Sequence, residues 1–199
     1  MPPPFVGLTG GIAAGKSEAL AAFARLGAAV LSTDAVVHEL LDEPEVRTRL
    51  VKRWGEEVLL DGGIDRGRVG AIVFERPAEL AWLEAVLHPL VGERVARWRH
   101  SLPDDTPLAV VEVPLLFETG MESGFDVTVC VVAPDPTRST RSRERGTALL
   151  EPRDGRQLSQ DEKAQRATHV IANDGSLAEL EARIANLVPQ LIASVEDAE

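Results

Sequence analysis

Residues 10–17, Gly-Gly-Ile-Ala-Ala-Gly-Lys-Ser, set two glycines five positions apart and follow them with a lysine and a serine. Glycines at that spacing let a short loop turn its backbone amides inward onto one anion. Lys16 adds a compact positive charge that reaches the outer phosphates of a nucleotide. The Ser17 hydroxyl can ligate the magnesium those phosphates carry. Only three lysines occur in the chain (Lys16, Lys52 and Lys163), which argues against filler in this slot.

Other groups stand where such a loop would use them. Asp34 closes a second apolar run, and a carboxylate just beyond a parallel strand lies at the ligand crevice of an open α/β sheet. It equally suits the cap of the helix that follows. Glu112 ends the apolar run at 108–111, a position from which a carboxylate can hold magnesium-bound water. Between 136 and 166, eight arginines and lysines face five carboxylates, a local balance of +3 in a chain of net charge −11. Arg141, Arg143 and Arg145 form a solvated helix face or, opposite a triphosphate, a closing lid. The trio Leu115, Leu116 and Phe117 reads as core or as the wall of a pocket. His88 precedes Pro89, and an interior proline costs a helix about 3 kcal/mol. A break or sharp bend is therefore expected there, with His88 as a packing histidine at the joint.

The elements that must carry these groups follow from periodicity. Apolar runs at 5–8, 28–31, 108–113, 127–132 and 169–173 read as strands, and 17–24, 35–41 and 177–192 as helices. A helical, amphipathic block from 45 to 102 is too long for a simple crossover and reads as an insertion. Strands alternating with helices behind a phosphate loop predict a three-layer α/β fold, the P-loop NTPase type, with a five-stranded parallel sheet. The expected organisation is a nucleotide-binding core (1–35, 105–135 and 165–199), a helical acceptor subdomain (36–104) and an arginine-rich helical lid (136–164).

Composition narrows the setting. The chain has 199 residues, of which 44% are hydrophobic and 27% charged, as in an ordinary soluble globular protein. Its acidity makes nucleic acid or an anionic membrane an unsuitable main partner. One cysteine, Cys130, excludes an internal disulfide framework. The start Met-Pro-Pro-Pro lacks the pattern of a signal peptide, and no apolar run is long enough to span a bilayer. A cytoplasmic protein, monomeric or weakly homo-oligomeric, is expected.

Taken in order, the motifs resemble those of the dephospho-coenzyme A kinase family. Residues 7–12 with Gly15-Lys16-Ser17 are similar to its phosphate loop, and Asp34 stands at its strand-two aspartate. Leu87-His88-Pro89-Leu90-Val91 and Val113-Pro114-Leu115-Leu116-Phe117-Glu118 resemble its substrate-side runs. Arg141 and Arg145 fit the lid arginines, Arg156 and Gln160 an Arg-x-x-x-Gln pair, and Val170-Ile171-Ala172-Asn173 the segment bordering the adenine. The chain departs at Ala13-Ala14 (commonly Gly-Ser), Glu18 (Thr), Ser32 (Asp), Arg138 (Gln) and Thr168 (Asp). Ala13 and Ala14 should be tolerated, since only backbone amides are needed there.

The resemblance implies phosphoryl transfer from ATP, with Mg2+, to the ribose 3′-hydroxyl of dephospho-coenzyme A. Gly11, Ala13, Ala14, Gly15, Lys16, Ser17, Glu18, Arg141 and Asn173 would hold the nucleotide. Ser17, and Glu112 through water, would hold the metal. Asp34 would take the acceptor proton, with Lys16 and Arg145 stabilising the transferring group. His88, Pro89, Leu115, Leu116 and Phe117 would meet the acceptor. Another small-molecule kinase of the same fold would share Lys16, Asp34 and the lid, but not the Leu-His-Pro and Pro-Leu-Leu-Phe-Glu runs. A guanine-nucleotide switch would need Asn-Lys-x-Asp, which is absent. Leu158-Ser159-Gln160 lacks the glycine pair of a transporter ATPase signature.

Overall fold

The computed structural model describes residues 3–144 and 157–196. In chain order the elements are β1 (Phe5–Gly10), α1 (Lys16–Arg25), β2 (Ala29–Ser32), α2 (Thr33–Asp42), α3 (Pro44–Trp54), β3 (Leu59–Leu60), β4 (Gly63–Ile64), α4 (Arg66–Glu75) and α5 (Pro77–His100). There follow β5 (Ala109–Glu112), β6 (Val127–Val132), α6 (Asp135–Glu144), α7 (Gln160–Arg166), β7 (His169–Ala172) and α8 (Leu177–Glu196). The chain divides into two compact units, Met1–Ser32 with Leu102–Glu199 and, separately, Thr33–Ser101.

The first unit is built on a five-stranded sheet of order β2-β5-β1-β6-β7, parallel throughout. All six residues of β1 are buried, as a central strand covered on both faces requires. Alternation splits them between the faces. Val6 and Leu8 join Ala19, Ala22 and Phe23 of α1 and Leu180, Ile184 and Leu191 of α8 in one apolar cluster. Phe5 turns to the other side and stacks on Phe125, ring centroids 4.6 Å apart. The Thr9 hydroxyl, on that same side, donates to the Pro114 carbonyl at 3.3 Å. Register brings Leu8, Glu112 and Ser32 side by side at the carboxyl ends of β1, β5 and β2.

The second unit, Thr33–Ser101, is helical with one small hairpin. Residues 59–64 form a small antiparallel hairpin, Leu59 opposite Ile64 and Leu60 opposite Gly63. Asp61 and Gly62 both have positive φ, +50° and +85°, as the two-residue Asp-Gly turn demands. The dipeptide is legible in the sequence, yet the surrounding helical periodicity hides it. The expected break at Pro89 does not occur: α5 runs unbroken through it for 24 residues. Leu83, Leu87, Val91 and Val95, four apart, bury one stripe on both sides of the proline. Pro89 withholds one N–H, from the Ala85 carbonyl, and both residues are exposed, where water can replace the lost bond. His88 is exposed too, so it is not the packing histidine of a helix joint.

Candidate active site

The loop between β1 and α1 has the backbone its glycines predict. Gly10 has φ +157°, and a Cβ there would lie 2.3 Å from the Val131 carbonyl oxygen. Gly15 has φ +97°, and a Cβ there would lie 2.1 Å from Asn173 Nδ2. Both positions thus exclude any side chain, one against β6 and one against the end of β7. Gly15 is also the N-cap of α1 and offers no capping side chain, which leaves the positive end of that helix directed at the loop. Lys16 curls back over the loop, its ammonium donating to the carbonyls of Gly11 (3.0 Å) and Gly10 (3.3 Å). Ser17 and Glu18 are exposed on the first turn of α1.

Ala13 corrects one sequence expectation. Its φ of +56° lies in the left-handed region, so an alanine is strained where glycine is at ease. The substitution is not neutral merely because the loop asks for no side chain there.

Two residues distant in sequence close on the same loop. The Asn173 amide, 3% exposed, donates to the Ala14 carbonyl at 2.8 Å. Arg141, from α6, reaches that carbonyl and the Asn173 Oδ1, each at 3.5 Å. The Gln160 amide makes paired bonds to the Ala133 backbone, accepting from N–H at 2.9 Å and donating to C=O at 3.1 Å. The Arg138 and Gln160 side chains pack against Gly11, where a Cβ would lie 2.7 Å from Arg138 Nη1 and 3.0 Å from Gln160 Oε1. Arg145 and Arg156 lie outside the described residues.

The carboxylates and acceptor-side residues fall as follows. Glu112, 6% exposed, is the last residue of β5. Asp34 is exposed in the first turn of α2, two residues past the end of β2, and belongs to the second unit with His88 and Pro89. Of the apolar trio, Leu116 (0%) and Phe117 (6%) are core, and only Leu115 (37%) reaches the surface. Cys130 is buried and its thiol is pushed up to about 11 by that burial, against the opposing pull of Lys163 and Lys16, so it stays protonated and unreactive.

Magnesium takes hard oxygen ligands, and Ser17 and Glu112 supply that kind. No group of three or more His, Cys, Asp or Glu side chains able to hold a metal occurs among the described residues. A magnesium ion here would therefore complete its shell with water and nucleotide oxygens, as this ion ordinarily does.

One polar residue escaped the sequence reading. Lys163 counts there as one more charge of the basic stretch, but it is wholly buried beneath the loop that follows β5. Its placement three residues after Gln160, on one side of the short helix α7, is the signal that links the two.

Comparison with known proteins agrees with this geometry. Residues 4–179 match the family model described as Dephospho-CoA kinase. The dephospho-CoA kinase of Deinococcus radiodurans is 38% identical over 197 residues, covering 94% of this chain and 91% of that protein. The crystal structure of TT1252 from Thermus thermophilus is similar with a TM-score of 0.79 and 34% identity, over 96% of this chain and 99% of that one. Dephospho-CoA kinase from Campylobacter jejuni gives a TM-score of 0.69 at 26% identity, over 94% and 96%. A phosphate loop of this geometry, within a parallel α/β sheet and matched over nearly its whole length, leaves one conclusion: the chain belongs to the dephospho-CoA kinase family.

Proposed function

We propose that the phosphate loop, Asp34 and the arginines of the 136–164 segment carry out the family's reaction in this chain. That reaction is ATP-dependent phosphorylation of the ribose 3′-hydroxyl of dephospho-CoA, giving CoA and ADP, the last step of coenzyme A biosynthesis. The observation that supports these assignments most is the meeting of Arg141 and Asn173 at Ala14–Gly15, directly at the start of α1.

In this reading the loop amides and the Lys16 ammonium take the phosphates, which requires Lys16 to exchange its two carbonyl contacts for phosphate oxygens. Asn173 and Arg141 border the nucleotide beside Gly11, Ala13, Ala14 and Glu18. Ser17, and Glu112 through water, hold Mg2+, which when bound offsets charge between the phosphates. Asp34 orients the acceptor hydroxyl and accepts its proton, for which an exposed carboxylate at the start of α2 is suited. Arg145 offsets charge on the transferring group. His88, Pro89 and Leu115 meet the acceptor, while Leu116 and Phe117 support Leu115 from the core. The 36–104 region serves as the acceptor subdomain and 136–164 as the lid. Among the described residues no helix is long and apolar enough to cross a membrane. We read the protein as cytoplasmic and as a monomer or weak homo-oligomer.

The test is turnover of magnesium-ATP by the purified protein with dephospho-CoA, beside uridine, cytidine and nucleoside monophosphates. We expect dephospho-CoA alone to be converted. Asp34→Asn should bind ATP as before and lose at least about 100-fold in kcat, the usual scale of a positioned general base. Unchanged turnover in that variant removes Asp34 as the base. Conversion of the nucleosides instead removes the acceptor assignment.

A further inference from the structure

We propose that Lys163 is a positioning residue for the acceptor, acting through a buried ion pair with Glu118. The Lys163 side chain is fully buried, and its ammonium donates to the Pro114 carbonyl at 2.5 Å and lies 2.9 Å from Glu118 Oε1. The same Oε1 accepts from the Leu158 backbone N–H at 3.0 Å, while Oε2, also buried, has no partner among the described residues. Thr9 of β1 donates to the same Pro114 carbonyl. One cation thus ties both ends of the turn Pro114–Glu118 to α7, and the Thr9 hydroxyl ties its first residue to the central strand.

The residue held between these two fixed points is Leu115, the only member of its trio at the surface. β5 ends at Glu112, and beyond it the turn is closed by its own bonds, the Leu115 carbonyl accepting from the Thr119 backbone N–H at 3.1 Å and from the Thr119 hydroxyl at 2.7 Å. Those bonds set the turn's internal shape, and Lys163 and Thr9 add ties from it to other elements. A buried ion pair rarely adds net stability over an apolar pair of the same size, because two charges must be desolvated to form it. Fixing the geometry of Leu115 gives the charges a reason to be there. The inference rests on the reading above that Leu115 meets the acceptor.

The test compares four proteins by steady-state kinetics and thermal melting: wild type, Lys163→Met, the double variant Lys163→Met/Glu118→Gln, and Leu115→Ala. Lys163→Met alone strands a carboxylate in the core and should melt about 10 °C lower. The double variant removes both charges while the carboxamide introduced at position 118 can still accept from Leu158, and should melt within about 3 °C of wild type. It should nevertheless show a KM for dephospho-CoA raised about tenfold, with KM for ATP unchanged, matching the pattern of Leu115→Ala. Should the double variant fail to fold, Lys163→Met decides the matter, with its KM for dephospho-CoA read well below its own melting temperature. We expect that KM raised about tenfold as well. Wild-type KM for dephospho-CoA in the double variant or in Lys163→Met, beside a raised KM in Leu115→Ala, overturns the role of Lys163 and leaves the acceptor reading intact. Wild-type KM in Leu115→Ala removes Leu115 from the acceptor site, and the proposal falls with it.

Discussion

Ala13 holds a backbone conformation that its own Cβ opposes, with φ at +56° in the tightest part of the phosphate loop. A left-handed alanine costs about 1 kcal/mol over glycine, less the greater entropy that glycine loses on folding. We therefore expect Ala13→Gly to raise the melting temperature by about 2 °C, read by calorimetry. A lower melting temperature would mean that the loop relaxes differently from the geometry described. The residues of the proposed site are legible in sequence by type, because glycine, lysine and serine at positions 10, 15, 16 and 17 each suit a distinct chemical task. Backbone angle was not: nothing in the letters Ala-Ala says which of the two is left-handed. Nor did Lys163 show itself, since a lysine in a basic stretch looks like any solvated charge until its surroundings are known.

At the scale of elements, α3 and α5 are joined by a polar cluster. Glu79 accepts two bonds from the Arg53 guanidinium at 2.9 Å each, and its Oε2 accepts a third from the Trp54 indole at 2.7 Å. Trp54 meets Trp82 edge-on at 5.2 Å, and Arg53 lies over the Trp82 ring. Bonding from Arg53 first, and from Trp54 next, lowers the Glu79 carboxyl to about 2. A folded value below the ordinary 4.5 means that the cluster stabilises above that pH and loses its contribution as pH falls toward 2. The melting temperature of Glu79→Gln should therefore fall below that of wild type above pH 5, and the two should converge toward pH 2. A gap of constant size would exclude ionisation of Glu79 as its source. Apolar spacing marks α5 as helical, because Leu83, Leu87, Val91 and Val95 repeat every fourth residue. It misjudged Pro89, where the general cost of an interior proline gives way to an outward-facing, hydrated position. The hairpin at 59–64 was missed because two-residue strands carry too little alternation to outweigh helical neighbours.

For the molecule as a whole, each strand of the five-stranded sheet was visible as an apolar run, and the parallel sheet follows from runs separated by helices. Strand order was not visible. The meeting of Asn173 with Ala14 depends on β1, β6 and β7 lying side by side, with Gly10 opposite Val131 and Val132 opposite Ala172. No local pattern encodes that adjacency, so the residues proposed to border the nucleotide are legible singly, and their meeting is not.

The central place of β1 also dictates when the protein can begin to work during its own synthesis. The first strand made is the middle one of the sheet, and its partners β5 and β6 begin at residues 109 and 127. At ribosomal speeds of about 5–20 residues per second, the loop at 10–17 emerges roughly 10–30 s before Asn173 arrives to close it. Nascent chains halted at residue 125 should therefore fail to retain a fluorescent ADP analogue that the finished chain binds. Retention by the halted chain would mean that the loop matures without its distant partners.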